Sequence, residues 1–143
     1  MPTNEADRIK FPHLLPGETS TWRQFLLLHQ TEYDRFDYDV HLGNGSLPQE
    51  EKPTVYGTDF QWLTRKRADV IGWQGSLATI FEVRPRASLP LLGQLEGYRY
   101  LWMRANKDSL PPKLILVTEF IQPDDLEIFN AHGIPVVVVE PGQ

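Results

Sequence analysis

The sequence contains no cysteine. That excludes disulfides, thiolate zinc centres, iron–sulfur clusters and a cysteine nucleophile. No apolar run approaches the roughly 20 residues that span a bilayer. The stretch Met1–Pro16 carries scattered charges and prolines where a secretion signal has its apolar core. The expectation is a soluble, cytoplasmic chain with no membrane contact. Positive charge is also scarce: 14 Lys+Arg against 19 Asp+Glu leave a formal charge of −5. A protein that coats nucleic acid by overall charge is excluded, and a local basic patch is what remains open. Among the histidines, His13, His29, His41 and His132 lack any paired metal spacing. No serine lies in a nucleophile elbow, and Gly43-Asn44-Gly45 is a turn without a phosphate-loop context.

What is present is globular. The 143 residues suit one domain, and 41% hydrophobic with 11% aromatic residues can build a core. Prolines punctuate the chain. Residues 1–18, with Pro2, Pro12, Pro16 and Gly17, read as an extended arm, and 19–143 as a single domain. A helix is expected from Thr19–Thr21, where Thr21 and Gln24 have capping-box spacing and Trp22, Phe25, Leu26, His29 and Tyr33 form a stripe. Phe36 to Leu42 alternates with period two, a half-buried strand. Ser46 to Pro53 reads as a loop. Three strand candidates follow: Phe60–Arg65, Asp69–Trp73 and Leu77–Arg84, the last two joined by a turn at Gly72–Ser76. Ser88 and Pro90 open a second helix with Leu91, Leu95, Tyr98, Trp102 and Ala105 inward. After Pro111-Pro112 come a strand at Leu114–Val117, a helix opened by Pro123-Asp124-Asp125 and closed by Gly133, and a run Val136–Val139 that suggests a strand covered on both faces. Antiparallel strands followed by β-α-β-α-β predict an α/β fold, a mixed central sheet flanked by helices.

The chemistry concentrates in two strands. Asp69 and Glu82 are carboxylates set among Val, Ile and Phe, where acids are depleted and costly to bury unless paired or bound to metal. A hairpin would bring both to one end of the sheet. Two hard oxygen ligands with open positions suit Mg²⁺ or Mn²⁺ that keeps several waters. Arg84 shares a face with Glu82 and cannot act as a base at ordinary pH. The competing reading makes Asp69 a salt-bridge partner of Arg67 or Arg84, and Glu82 with Arg84 a solvated face. Tyr98 lies on its helix's apolar stripe and reads as core; Gln94 lies beside that stripe.

Asp69, Glu82-Val83-Arg84 and the following Gln94-x-x-x-Tyr98 together resemble the PD-(D/E)XK nuclease superfamily, of the RecB-like Gln-x-x-x-Tyr type, over about Phe60 to Glu140. The resemblance implies a restriction-endonuclease-like core and metal-dependent phosphodiester cleavage of DNA. It implies catalytic roles for Asp69, Glu82 and Arg84. It implies a cation on Asp69, Glu82 and the carbonyl of Val83, and substrate contacts from Gln94 and Tyr98. Glu32 is the candidate accessory acid of the first helix. Two departures stand out: Arg84 takes the family's lysine position, and Ala68 the position of the proline. They leave a second function open, a non-catalytic phage virion component at the head–tail connection. There the arm would tie the chain to other virion proteins or to copies of itself, without a cofactor. The segment Trp22–Gly43, with its Tyr-Asp-Arg-Phe-Asp-Tyr-Asp run, resembles small phage open reading frames of that kind.

Overall fold

The computed structural model describes residues 14–43 and 66–141. The expected loop at Ser46–Pro53, the strand Phe60–Arg65 and most of the arm lie outside them. Helix α1, Pro16–His29, is followed by a 3₁₀ turn, Gln30–Glu32, and strand β1, Arg35–Leu42. Then come β2, Lys66–Gln74; β3, Leu77–Arg86; α2, Pro90–Ala105; β4, Lys113–Phe120; α3, Pro123–Ala131; and β5, Val136–Val138. The strands form one mixed sheet in the order β1-β2-β3-β4-β5. The first three strands are antiparallel neighbours, and β3-β4 and β4-β5 are parallel pairs joined through helices. Among the described residues no helix is long and apolar enough to cross a membrane.

Helix α1 starts at Pro16, ahead of the expected Thr19–Thr21. Proline opposes helix inside but fits the first turn, where its fixed φ is already helical and its missing N–H would be an orphan. Glu18 completes this start by accepting the backbone N–H of Leu15 at 3.2 Å. Thr21 is therefore no cap. Its hydroxyl donates to the Gly17 carbonyl at 3.0 Å and also pairs with Glu119 on β4. Helix α2 likewise begins without a side-chain cap from Ser88, whose carbonyl instead accepts the Leu91 N–H at 3.2 Å.

Period-two alternation along β3 and β4 divides the core. Phe81, Val83 and Val117 face α1, where they meet Trp22, Phe25 and Leu26. Ala78, Ile80, Leu114 and Leu116 face the other way, against Leu91, Leu95 and Tyr98 of α2 and Phe129 of α3. The α1 side is an aromatic stack: Trp22 lies 4.9 Å from Phe25 and 5.2 Å from Phe81, ring centre to ring centre. One expectation holds only in part at the sheet edge. Val136 packs against the α2 core and Val137 and Val139 against the α1 core, so the run meets apolar cover on both faces, but Val138 is 54% exposed. A run of β-branched residues records strand preference and apolar contact, not the number of neighbours.

Candidate functional site

The site forms where β2 leaves its ladders. Pairing of β2 with β3 runs from the Gly75 turn, at φ 61°, as far as Val70 and Phe81. On the other flank, Tyr38 pairs Val70 and Val40 pairs Ala68, and between them Asp39 takes a φ of 54°. Aspartate tolerates that left-handed conformation better than bulky residues do. Asp69 is thus the residue of β2 that sits between two interrupted ladders. The alternation of faces breaks there too, with Val70 in the α1 core and Ala68 in the α2 core.

In place of a ladder bond, the Asp69 carboxylate accepts the backbone N–H of Val83 at 3.0 Å. Arg84 Nη1 donates to the same Asp69 oxygen at 2.9 Å and to the Val83 carbonyl at 2.8 Å. Its Nη2 stands 3.0 Å from Glu82 Oε2. One guanidinium therefore touches three oxygens, from Asp69, Glu82 and Val83. Glu18, in the first turn of α1, adds a fourth at 3.6 Å from Nη1.

Burial sets the electrostatics. The Glu82 side chain is 1% exposed, and among the described residues neither of its oxygens receives an aligned hydrogen bond. Burial first, and then the charge of Asp69, push its carboxyl up to about 8, against the opposing pull of Arg84 and the Tyr98 hydroxyl. Asp69 is also raised by burial, an effect that the Val83 N–H and Arg84 reduce. Burial alone would lower Arg84, but the charges of Glu82, Asp69 and Glu18 outweigh it and raise the guanidinium further. Tyr98 is raised by burial and by the nearby Glu82 and Asp69. Three carboxyl groups share one fixed positive charge, so an added cation or a retained proton would balance the cluster.

The residues singled out in the sequence divide accordingly. Asp69, Glu82, Val83, Arg84 and Tyr98 come together. The solvated-face reading of Glu82 is overturned by its burial, whereas the pairing of Asp69 with Arg84 is present. Gln94 is exposed one turn before Tyr98 and lines a groove of about 550 Å³ together with Tyr98 itself, Gly93, Gly97, Tyr100 and Leu101. Glu32 is not in the cluster. It belongs to the 3₁₀ turn and pairs with His29 at 2.6 Å. The acid that α1 brings to the site is Glu18, which an assignment of Pro16–Glu18 to the arm concealed. The signal that finds it is Pro16 followed two residues later by an acid, a helix start.

The chemistry of the donor set decides whether it suits a divalent ion. Among the described residues no three His, Cys, Asp or Glu side chains group closely enough to form a metal site by themselves. Two carboxylates and a backbone carbonyl do converge on one cationic group, and all three are hard oxygens of the kind Mg²⁺ and Mn²⁺ take beside several waters. The set fits.

No family profile matches the sequence, and no curated protein matches it. Solved structures do match the fold. A repair endonuclease from Pyrococcus abyssi superposes with a TM-score of 0.53 at 15% identity, over 90% of this chain and 49% of that one. An EndoMS–dsDNA2 complex superposes with a TM-score of 0.52 at 16% identity, over 96% of this chain and 49% of that one. The chain spans about half the length of each. The likeness places the mixed sheet and its helices in a restriction-endonuclease-like α/β fold.

Proposed function

We propose that the chain is a nuclease domain that cleaves the phosphodiester backbone of DNA with the help of Mg²⁺ or Mn²⁺. The observation that carries this reading is the convergence of Asp69, Glu82 and the Val83 carbonyl at the break in the β2 ladders. These three oxygens would hold the cation. When bound, the ion polarises a phosphate and lowers the pKa of the attacking water. The neighbours, one titled a repair endonuclease and the other a complex with dsDNA, support DNA as the polymer.

The chain's own residues have separate tasks. The β2–β3 hairpin fixes Asp69 against the Val83 N–H, so the carboxylate needs little reorganisation. Arg84, 30% exposed, is within reach of solvent and pairs with a phosphate oxygen once the polymer arrives. Its permanent charge rules it out as the base. Tyr98 is 7% exposed and faces Glu82, so it positions that carboxylate, and it also lines the groove of Gln94, where the bound strand would meet it. Gln94, on the open groove, supplies a polar contact to the bound strand.

Nicking of supercoiled plasmid tests the proposal. Cleavage is expected with Mg²⁺ or Mn²⁺, absent with EDTA, and lost in Glu82→Gln and Asp69→Asn. No cleavage with either metal, or cleavage that survives Glu82→Gln, would overturn it. The assembly alternative rests on the arm, whose residues 1–13 lie outside the described ones, on Arg84 and Ala68 at the departing positions and on the Trp22–Gly43 likeness, and a chain that nicks nothing with either metal would turn the reading toward it.

A further inference from the structure

The three oxygens assigned to a cation are the same three that Arg84 already holds. Nη1 lies 2.9 Å from Asp69 Oδ2 and 2.8 Å from the Val83 carbonyl, and Nη2 lies 3.0 Å from Glu82 Oε2. A guanidinium presents its N–H groups in a rigid planar fork, and here the fork spans the cage. A Mg²⁺ ion seated on these same three oxygens at about 2.0–2.1 Å would stand in the space the N–H groups fill and beside their charge, so ion and fork compete for that position. Glu18 Oε2, 3.6 Å from Nη1, offers the guanidinium a second position. Glu18 is held by the first turn of α1 rather than by the strands that carry the cage.

We infer that Arg84 is an internal cation that competes with a divalent ion for the oxygens of Asp69, Glu82 and Val83, and withdraws toward Glu18 when the ion enters. The inference rests on the metal-site reading above. It adds that Arg84 sets the cation threshold of the site. The apparent affinity for the ion is the cage's own affinity reduced by the fraction of molecules whose cage is clear. Leu15 N–H and Thr21, which fix Glu18 and the turn around it, thereby help determine that fraction.

Calorimetric titration of the full chain with MnCl₂, at constant pH and ionic strength, tests this without reference to cleavage. Arg84→Lys conserves the charge but gives up the planar fork, and it should bind Mn²⁺ several-fold more tightly than wild type. Arg84→Gln should gain about tenfold or more if the cage is clear in a tenth of wild-type molecules. Glu18→Gln should weaken Mn²⁺ binding in the wild-type background and change it far less in Arg84→Gln, because its effect runs through Arg84. A gain in Arg84→Gln without one in Arg84→Lys would reduce Arg84 to a nearby charge and overturn the competition. Equal affinities throughout, or no Mn²⁺ binding in any variant, would overturn it as well. Should Arg84→Gln fail to fold, the wild-type protein gives a direct readout. The Arg84 side-chain Nε–H resonance should shift on titration with Mg²⁺, and a resonance that stays put while the ion binds would sink the inference. Tighter Mn²⁺ binding in the variants, with no nicking of DNA by the wild-type chain, would instead refute only the cleavage activity. Metal-dependent nicking with unchanged affinities would refute only the competition.

Discussion

Glu82 is the residue whose chemistry and stability are hardest to separate. Its carboxyl stands at about 8 in the folded chain against an ordinary 4.5. The folded state therefore holds a proton that the unfolded state releases between those two values. Stability tied to that proton is complete below pH about 4.5 and is lost as the pH rises toward about 8. Asp69, raised in the same direction, adds to the loss, whereas Arg84 stays charged throughout the range. Glu82→Gln keeps the shape and removes the titration. In EDTA, its stability relative to wild type should improve steadily from pH 5 to pH 8 and then level off, measured by urea unfolding at each pH. A gap that is constant with pH, or that moves the other way, would show that Glu82 ionises freely in the fold. The sequence singled out the two acids that meet at Arg84, because carboxylates are out of place among Val, Ile and Phe. It could not disclose that Arg84 lies across both, since a period-two pattern gives a side chain's face and not its reach.

At the scale of elements, the strands and helices were legible wherever apolar spacing was strong: β1, β3, α2, β4 and α3 start or end close to where the pattern puts them. The misread positions share a cause. The start of α1 turned on Pro16, whose meaning depends on whether it stands inside a helix or at its first turn. The exposure of Val138 turned on what packs over the end of β5, which no local window contains. Gly72 shows the same dependence on tertiary context. In sequence it reads as part of a turn, yet it lies within β2, and a Cβ there would stand 2.8 Å from Tyr33 Cδ1 and 2.9 Å from Phe81 Cε2. Alanine usually strengthens a strand relative to glycine. Here the aromatic stack must move, so Gly72→Ala should cost about 1–3 kcal/mol through overpacking. The urea midpoint should fall in Gly72→Ala and recover in part when Tyr33→Leu is added to make room. A stabilised Gly72→Ala would show that the stack is loose.

The whole molecule is a sheet with a core on each side, and both cores hang on β3 and β4. Phe81 and Ile80 are consecutive residues facing opposite helices, so neither layer keeps its packing if β3 unravels. That shared backbone predicts one cooperative transition, and the tryptophans allow it to be watched from each side. Trp22 sits in the α1 core, fully buried, and Trp73 and Trp102 pack together at 5.6 Å on the α2 side. Leu95→Ala should cost about 2–5 kcal/mol and Phe25→Ala about 3–5 kcal/mol, because each leaves a cavity in a filled layer. The sheet stands between the two sites and they belong to different clusters, so the double mutant should lose close to the sum of the single losses. Cooperativity and additivity are separate demands. The unfolding curve followed by Trp22, in a Trp62→Phe/Trp73→Phe/Trp102→Phe background that leaves it the one tryptophan, should coincide with the far-ultraviolet curve even in Leu95→Ala, whose damage lies on the opposite face. If the α1 layer instead melts apart from the sheet, the curves separate. In that case Glu18 and the second position it offers Arg84 would be lost before the cage itself.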